Sequence, residues 1–375
     1  MNDQEIFYTI ALTRLQGVGL TSALHAYRAL GSAQAIYEQR GNLKDVMPDL
    51  NERLATGFSH WDDALHRAAA EMEFMAQHGI KPLTQNDNDY PARLRECDDA
   101  PLIVFYKGNA ELNRAHVINI VGTRHCTAYG KDLIHKFITG LKETCPDVLI
   151  ISGLAYGADI CAHREAIANG LDTVGVLAHG LDTIYPGAHR DTAVMMLQHG
   201  GLLTEYITQT QPIANNFRQR NRIVAGMSDA TIVVESAYKG GALITARIAM
   251  DYGRDVMAFP GAVGAPYSEG TNNLIRDNRA ALITSGDDFI NMMGWKNLRG
   301  MKGGEQEVIE RSLFPDLSEE EQVVVDQLKK CNDLQLNVLS VKTNIPIGPL
   351  TALLFTLEMK GVVKPYAGGT YHLIM

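Results

Sequence analysis

The sequence predicts an α/β protein: a Rossmann-like, doubly wound, mostly parallel sheet, with a small helical module before it and a winged-helix domain after it. Three observations carry that expectation. From His116 onward, short runs that are apolar throughout alternate with helical stretches, the pattern of parallel strands covered on both faces. Ahead of residue 79, apolar positions recur only at helical spacing. Beyond Ser318, three helical stretches lead into two apolar runs that turn at Gly368-Gly369.

Taken in order, residues 1–78 form the helical module, with Ile6, Ile10, Leu12 and Leu15 on one side of Leu15-Gln-Gly-Val-Gly19 and Ala23, Leu24, Tyr27 and Leu30 on the other. That turn fits a helix-hairpin-helix or SAM-like module whose backbone amides touch a DNA phosphate. It fits equally a tight turn between packed helices in which Gly17 and Gly19 supply unusual dihedrals. Residues 79–115, with Pro82, Pro91 and Pro101, form a connecting strap that ends in Leu102-Ile-Val-Phe-Tyr106 and leans on the next domain. Within 79–290, strands are expected at Val117–Val121, Val148–Ile151, Thr173–Leu177, Gly201–Thr204, Thr231–Val234, Asp255–Phe259 and Ala281–Thr284. Residues 291–317 read as a polar linker, and 318–375 as the winged helix, opened by Ser318 as N-cap with Glu321 completing a capping box. Its candidate recognition helix carries only Lys360 near its end, so a protein partner suits it as well as DNA.

Composition excludes several classes. No apolar run approaches the roughly 20 residues of a membrane span, and Met1-Asn-Asp-Gln-Glu lacks the basic region of a secretory signal, which points to the cytoplasm. The five cysteines are scattered without a C-x-x-C pair, so neither a disulfide framework nor a zinc site is expected. No cofactor is indicated. The formal net charge of −9 argues against a generally basic surface but leaves room for a local basic groove.

That groove has a sequence candidate. Arg218, Arg220 and Arg222 stand at i, i+2 and i+4, and soon afterwards Gly240-Gly241 opens a helix. Guanidinium groups fork onto phosphate oxygens, and amides at a helix N-terminus attract the same anion. Turns that follow parallel strands converge on the carboxyl edge of the sheet, where ligands bind. Gly122-Thr123-Arg124, Ser152–Gly157, Ala178–Asp182 and Glu235–Gly241 are four such turns.

In sum, Val121-Gly-Thr-Arg124, Ile151-Ser-Gly-Leu-Ala-Tyr-Gly-Ala-Asp159, Leu181-Asp-Thr-Ile-Tyr-Pro186, Phe217-Arg-Gln-Arg-Asn-Arg-Ile-Val-Ala-Gly226, Gly241-Ala-Leu-Ile-Thr-Ala246, Phe259-Pro-Gly261 and Ser268-Glu-Gly-Thr-Asn-Asn-Leu-Ile275 resemble, in this order, the DNA-processing protein A (DprA, also called Smf) family. The resemblance implies a homodimeric protein of natural transformation that binds and protects single-stranded DNA and helps load a RecA-type recombinase, without catalytic turnover. It implies DNA contacts from Gly122, Thr123 and Arg124, from Phe217, Arg220, Asn221 and Arg222, and from Gly240, Gly241 and Thr245. Arg218 stands where the family commonly has proline, and a cation usual upstream is missing, so that contact is expected to have moved to Arg218. His179 replaces a usual glycine on the rim.

If Phe217–Arg222 is extended, alternate side chains point opposite ways, so at least one arginine pairs internally with Asp or Glu; Arg218 and Arg220 are the favoured contacts. Phe217 either stacks on a base or anchors the core. Asp159 and His163 have metal-ligand spacing on a helix, yet no third ligand accompanies them, and capping and packing suit them better. Ser152 lacks a nucleophile-elbow context. Glu235 either accepts hydrogen bonds from neighbouring loops or acts as a general base in a nucleotide-processing enzyme resembling phosphoribohydrolases, the alternative to DNA binding.

Overall fold

The computed structural model describes residues 3–295, 317–332, 334–360, 362–366 and 369–373, and the chain divides into two compact units, 1–297 and 298–375. The first opens with six helices: α1 (Asp3–Leu12), α2 (Leu20–Leu30), α3 (Ala33–Glu38), α4 (Leu43–Val46), α5 (Glu52–Ser59) and α6 (Asp62–His78). Their apolar faces enclose Ile10, Ile36, Phe58 and Trp61. Gly17, between α1 and α2, takes φ +78°, a value that a side chain would strain. This core is shared with Ile103 and Phe105 of the strap and with Ile207, so the helices belong to the same compact unit as the sheet. A polar bolt reinforces the join: buried Glu71 accepts from the Thr208 hydroxyl at 2.6 Å and from its N–H, while Arg67 donates to the Thr208 carbonyl at 2.7 Å.

The strap does more than lean on the sheet. It contributes β1 (Lys81–Thr84) and β2 (Ile103–Gly108), with α7 (Ala92–Arg95) between them; β1 pairs antiparallel with β2, and β2 antiparallel with β6 (Gly200–Thr204). The remaining strands, β3 (Val117–Val121), β4 (Leu149–Ser152), β5 (Thr173–Val176), β7 (Ala230–Val233), β8 (Asp255–Ala258) and β9 (Ala281–Leu282), run parallel to one another and to β6. The nine-stranded order is β1-β2-β6-β5-β4-β3-β7-β8-β9. Successive residues of a strand face opposite sides. Accordingly Val117 and Val121 join one core, with α11 (Ala214–Gly226) and α12 (Gly241–Asp251), while Ile118 and Ile120 join another, with α8 (Ala128–Thr144), α9 (Ala158–Ala168) and α14 (Gly286–Met292). Two short helices, α10 (Arg190–Met196) and α13 (Glu269–Arg276), complete the cover.

The chain winds outward from β3 through β4, β5 and β6, then crosses back to β7, β8 and β9. Connections therefore diverge from the carboxyl ends of β3 and β7, the switch point at which such sheets leave a crevice.

The second unit comprises α15 (Glu319–Lys330), β10 (Leu334–Gln335), α16 (Leu336–Thr343), α17 (Ile347–Met359), β11 (Val363–Tyr366) and β12 (Thr370–Leu373), with strand order β10-β12-β11. The capping box forms: Ser318 Oγ accepts from Glu321 N at 3.2 Å, and Glu321 Oε2 accepts from Ser318 N at 2.7 Å. Lys360 Nζ donates to the same carboxylate at 2.7 Å. Positions 296–316 of the expected linker and Gly368 of the expected turn lie outside the described residues; Gly369 has φ +68°.

Replacing Glu71 by alanine leaves the Thr208 N–H and hydroxyl without their acceptor and removes the counter-charge of Arg67, which keeps only its bonds to Thr208. The expected loss is about 2–3 kcal/mol, read as a lower urea midpoint by tryptophan emission from buried Trp61; Glu71→Gln, which retains an acceptor, should lose less.

Candidate nucleic-acid interface

A cleft of about 670 Å³ occupies the switch point. Its floor is the turn after β3. Thr123 donates its N–H to the Glu235 carbonyl at 2.7 Å, and its own carbonyl accepts from Ala158 N at 3.1 Å, so Gly122-Thr123-Arg124 is braced between the loops that follow β7 and β4. Gly157, with φ +81°, lies so close to Thr123 and Arg124 that a methyl group there would strike their backbone. The turn then enters α8 through Thr127, whose N–H and hydroxyl both bond to the Glu235 carboxylate at 2.8 and 2.6 Å. Arg124 emerges exposed, its guanidinium 5.6 Å from the ring centre of Phe217.

The opposite wall is α11. Residues 216–222 are helical, not extended, which corrects the alternation expected for the arginines. On a helix, residues two apart lie about 200° apart, and the three arginines separate accordingly. Arg218 is exposed at the cleft, and no ion pair holds it among the described residues. Arg220 is buried and donates through Nη1 to the carbonyls of Gly153, at 2.6 Å, and Val176. Arg222 is buried on the far side, pairs with Glu205 and donates to the Asp99 carbonyl at 2.6 Å. The reading of Arg222 as a phosphate contact is therefore corrected: its charge is consumed internally. Arg220 touches the cleft but serves chiefly as a post that fixes the loops after β4 and β5 to α11. Burial pushes the Asp159 carboxyl up, and the Arg220 guanidinium pulls it back; burial likewise lowers Arg220 while Asp159 opposes it.

The third wall is the start of α12. Gly240 is its N-cap and offers no side-chain cap to the first turn. Gly241 faces open space, where a side chain would meet no protein atom; leaving it bare lets another molecule approach the helix amides. Thr245, one turn on, is buried beneath them and lines the cleft with Asn221. The structure thus gathers Gly122, Thr123, Arg124, Phe217, Arg218, Arg220, Asn221, Gly240, Gly241 and Thr245 into one cleft and leaves Arg222 outside.

These elements coincide with one family. Residues 81–294 match the family described as DNA recombination-mediator protein A. The chain belongs to it. DNA processing protein DprA of Streptococcus pneumoniae is 40% identical over 204 residues, 54% of this chain and 71% of that protein. The crystal structure of DNA processing protein A from Streptococcus pneumoniae superposes with a TM-score of 0.65 at 32% identity, covering 76% of this chain and 97% of that one. DNA processing protein A from Helicobacter pylori, whose structure gives insight into a single-stranded DNA binding mode, superposes with a TM-score of 0.52 at 28% identity, covering 58% of this chain and 96% of that one.

Within this family frame, three aromatic rings line the cleft that sequence reasoning had not singled out. Tyr185, half exposed, stands 5.8 Å from Phe217, and His125 stacks on Tyr267 at 6.0 Å. They come from loops far apart in sequence; only the Tyr185-Pro186 pair after Leu181 signalled one. Phe217 is partly exposed between Arg124 and Arg220, open to a base while touching no core cluster. His179 is buried, donating from Nδ1 to the Gly180 carbonyl and accepting from Tyr185 N, so it positions the Tyr185 loop. His163 bonds to the Thr173 hydroxyl, and burial holds it down to about 3. Ser152 donates to the Ile120 carbonyl. Among the described residues no group of three or more potential ligands could hold a metal ion, and no single helix is long and apolar enough to cross a membrane.

Arg222→Ala should leave Glu205 buried without its counter-charge and cost about 3–5 kcal/mol. Burial already raises the Glu205 carboxyl above 4.5, with Arg222 opposing. Without Arg222 it rises further, and a carboxyl raised in the folded state favours folding at low pH. The gap to wild type in urea unfolding should thus narrow as pH is lowered toward 4.5 and widen above it.

Proposed function

We propose that the cleft binds single-stranded DNA along its phosphate backbone without strong sequence preference. The observation that carries this reading is the joint presentation, at the switch point, of two exposed guanidinium groups, an uncapped glycine-led helix start and a partly exposed phenylalanine. Arg124 and Arg218 supply counter-charge to successive phosphates, and the start of α12 from Gly241 supplies amide donors, the Gly240 N–H being held by the Ala237 carbonyl. Phe217, with Tyr185 beside it, offers a stacking face that accepts any base. The single-stranded DNA binding described for the Helicobacter pylori relative supports the same ligand.

The role is one of binding, not turnover. Glu235, the residue best placed by sequence to act as a base, has both carboxylate oxygens engaged by Thr127. The family description, a recombination mediator, supports a RecA-type recombinase as partner, with the DNA handed over in the cytoplasm during transformation or recombination. A homodimer would set two clefts on one strand and raise avidity.

Gel shifts with a long oligo-dT strand should show affinity falling steeply as salt rises. Arg124→Ala and Arg218→Ala should each weaken binding and reduce the salt slope by about 0.7, the share of one phosphate on a single strand. Phe217→Ala should cost about 1–3 kcal/mol with little change in slope. Salt-independent binding, or release of free base from nucleoside monophosphates that is lost in Glu235→Ala, would overturn the reading.

A further inference from the structure

Two thiols meet behind the first turn of the cleft. Cys126 follows Arg124 by two residues, and Cys161 lies in the first turn of α9. The segments are tied by the bond from Ala158 N to the Thr123 carbonyl. The two segments also touch directly, for a methyl group on Gly122 would strike the Ala158 side chain and one on Gly157 the Arg124 backbone, and each thiol is the largest influence on the other's titration. Both are half-buried, neither is in a disulfide, and both rest against the core beneath α8 and α9. Cys126 also abuts Glu235: a methyl group on Gly130 would collide with both the Cys126 sulfur and the Glu235 carboxylate.

We propose that Cys126 and Cys161 form a redox-active dithiol, which hydrogen peroxide closes to an intramolecular disulfide that displaces the Gly122-Thr123-Arg124 turn. The effect on DNA rests on the proposed function above; the disulfide does not. The neighbouring Cys126 thiol, helped by Lys131 and Arg164, holds the Cys161 thiol down, while Cys161 and burial push Cys126 up. Cys161 is thus the nucleophile, and partial exposure beside cations is the setting in which thiolates react. Its thiolate attacks one peroxide oxygen; the O–O bond breaks, hydroxide leaves, and Cys161 becomes a sulfenic acid. Cys126 then attacks that sulfur, the S–O bond breaks, and the Cys126 proton departs with the hydroxyl as water. Two electrons pass from the thiols to the peroxide, which ends as two waters.

Closure sets the sulfur separation at about 2.05 Å. Cys126 must move toward α9 and away from Glu235, carrying its neighbours Arg124 and Thr127. The other cysteines offer no comparable pair of half-buried thiols. Cys97 is buried and pushed up to about 11, Cys145 is buried, and Cys331 is exposed on the other compact unit.

The test treats the full chain, and its Cys126→Ser and Cys161→Ser variants, with hydrogen peroxide. Remaining thiols are then alkylated and non-reduced tryptic peptides are weighed. Wild type should yield peptides joined through Cys126 and Cys161, two hydrogens lighter than their sum. Either variant should lack them, which also separates Cys161 from Cys145 on the same peptide. In parallel gel shifts with oligo-dT, oxidised wild type should bind about tenfold more weakly, the equivalent of one charge-assisted phosphate contact. Dithiothreitol should restore it, and peroxide should not change the affinity of either variant. Absence of the joined peptides in wild type would overturn the dithiol. Joined peptides with unchanged affinity would overturn its coupling to the turn. If reduced wild type failed to bind oligo-dT, the DNA reading would fall while the joined peptides still decided the dithiol.

Discussion

The site depends on the bonds between Glu235 and the segment after β3. Its carbonyl accepts from Thr123 N, and its carboxylate accepts both the N–H and the hydroxyl of Thr127. The end of β7 thereby dictates the path of the chain that leaves β3, its neighbour in the sheet. Arg124 owes its position to this brace, since the residues before and after it are fixed and only its side chain is left to reach outward. Because Glu235 is 3% exposed, these bonds are shielded from competing water, and in such surroundings an unmade one is costly.

The arginines of α11 show how one residue type serves three purposes according to its angle on a helix. Arg218 keeps its charge at the surface, Arg220 spends its donors on backbone carbonyls, and Arg222 neutralises Glu205. A count of positive charges in the sequence therefore overstates the charge the cleft presents. Against the overall balance of −9, the field at the cleft comes from a few exposed cations in a narrow space, where their effect is concentrated.

Much of the fold was legible because burial on both faces leaves a trace: the runs at Val117–Val121 and Thr231–Val234 are short, rich in β-branched residues and without regular polar alternation, and they alternate with helical stretches. The helix at Ala214–Gly226 was not legible as such, because its first half is polar and its buried apolar run begins only at Ile223. The union of β1 and β2 with the sheet was missed for another reason. Antiparallel pairing with β6 joins residues about a hundred positions apart, and nothing local in Leu102–Tyr106 records its partner. The cleft itself was legible where a turn directly follows a strand, as at Gly122-Thr123-Arg124, and where a glycine pair opens a helix, as at Gly240-Gly241. Tyr185, His125 and Tyr267 reach it from the middle of loops, where spacing carries no information.

The strap has a consequence for how the sheet ends. Without β1 and β2, the open backbone of β6 would be an edge able to pair with any extended chain. With them, the outermost strand on that side is β1, which is four residues long and includes Pro82, a residue with no N–H to offer a further neighbour. The opposite border, β9, is two residues long. Among the described residues, the sheet beneath the cleft thus presents little β-edge at which another polypeptide could add itself as the next strand.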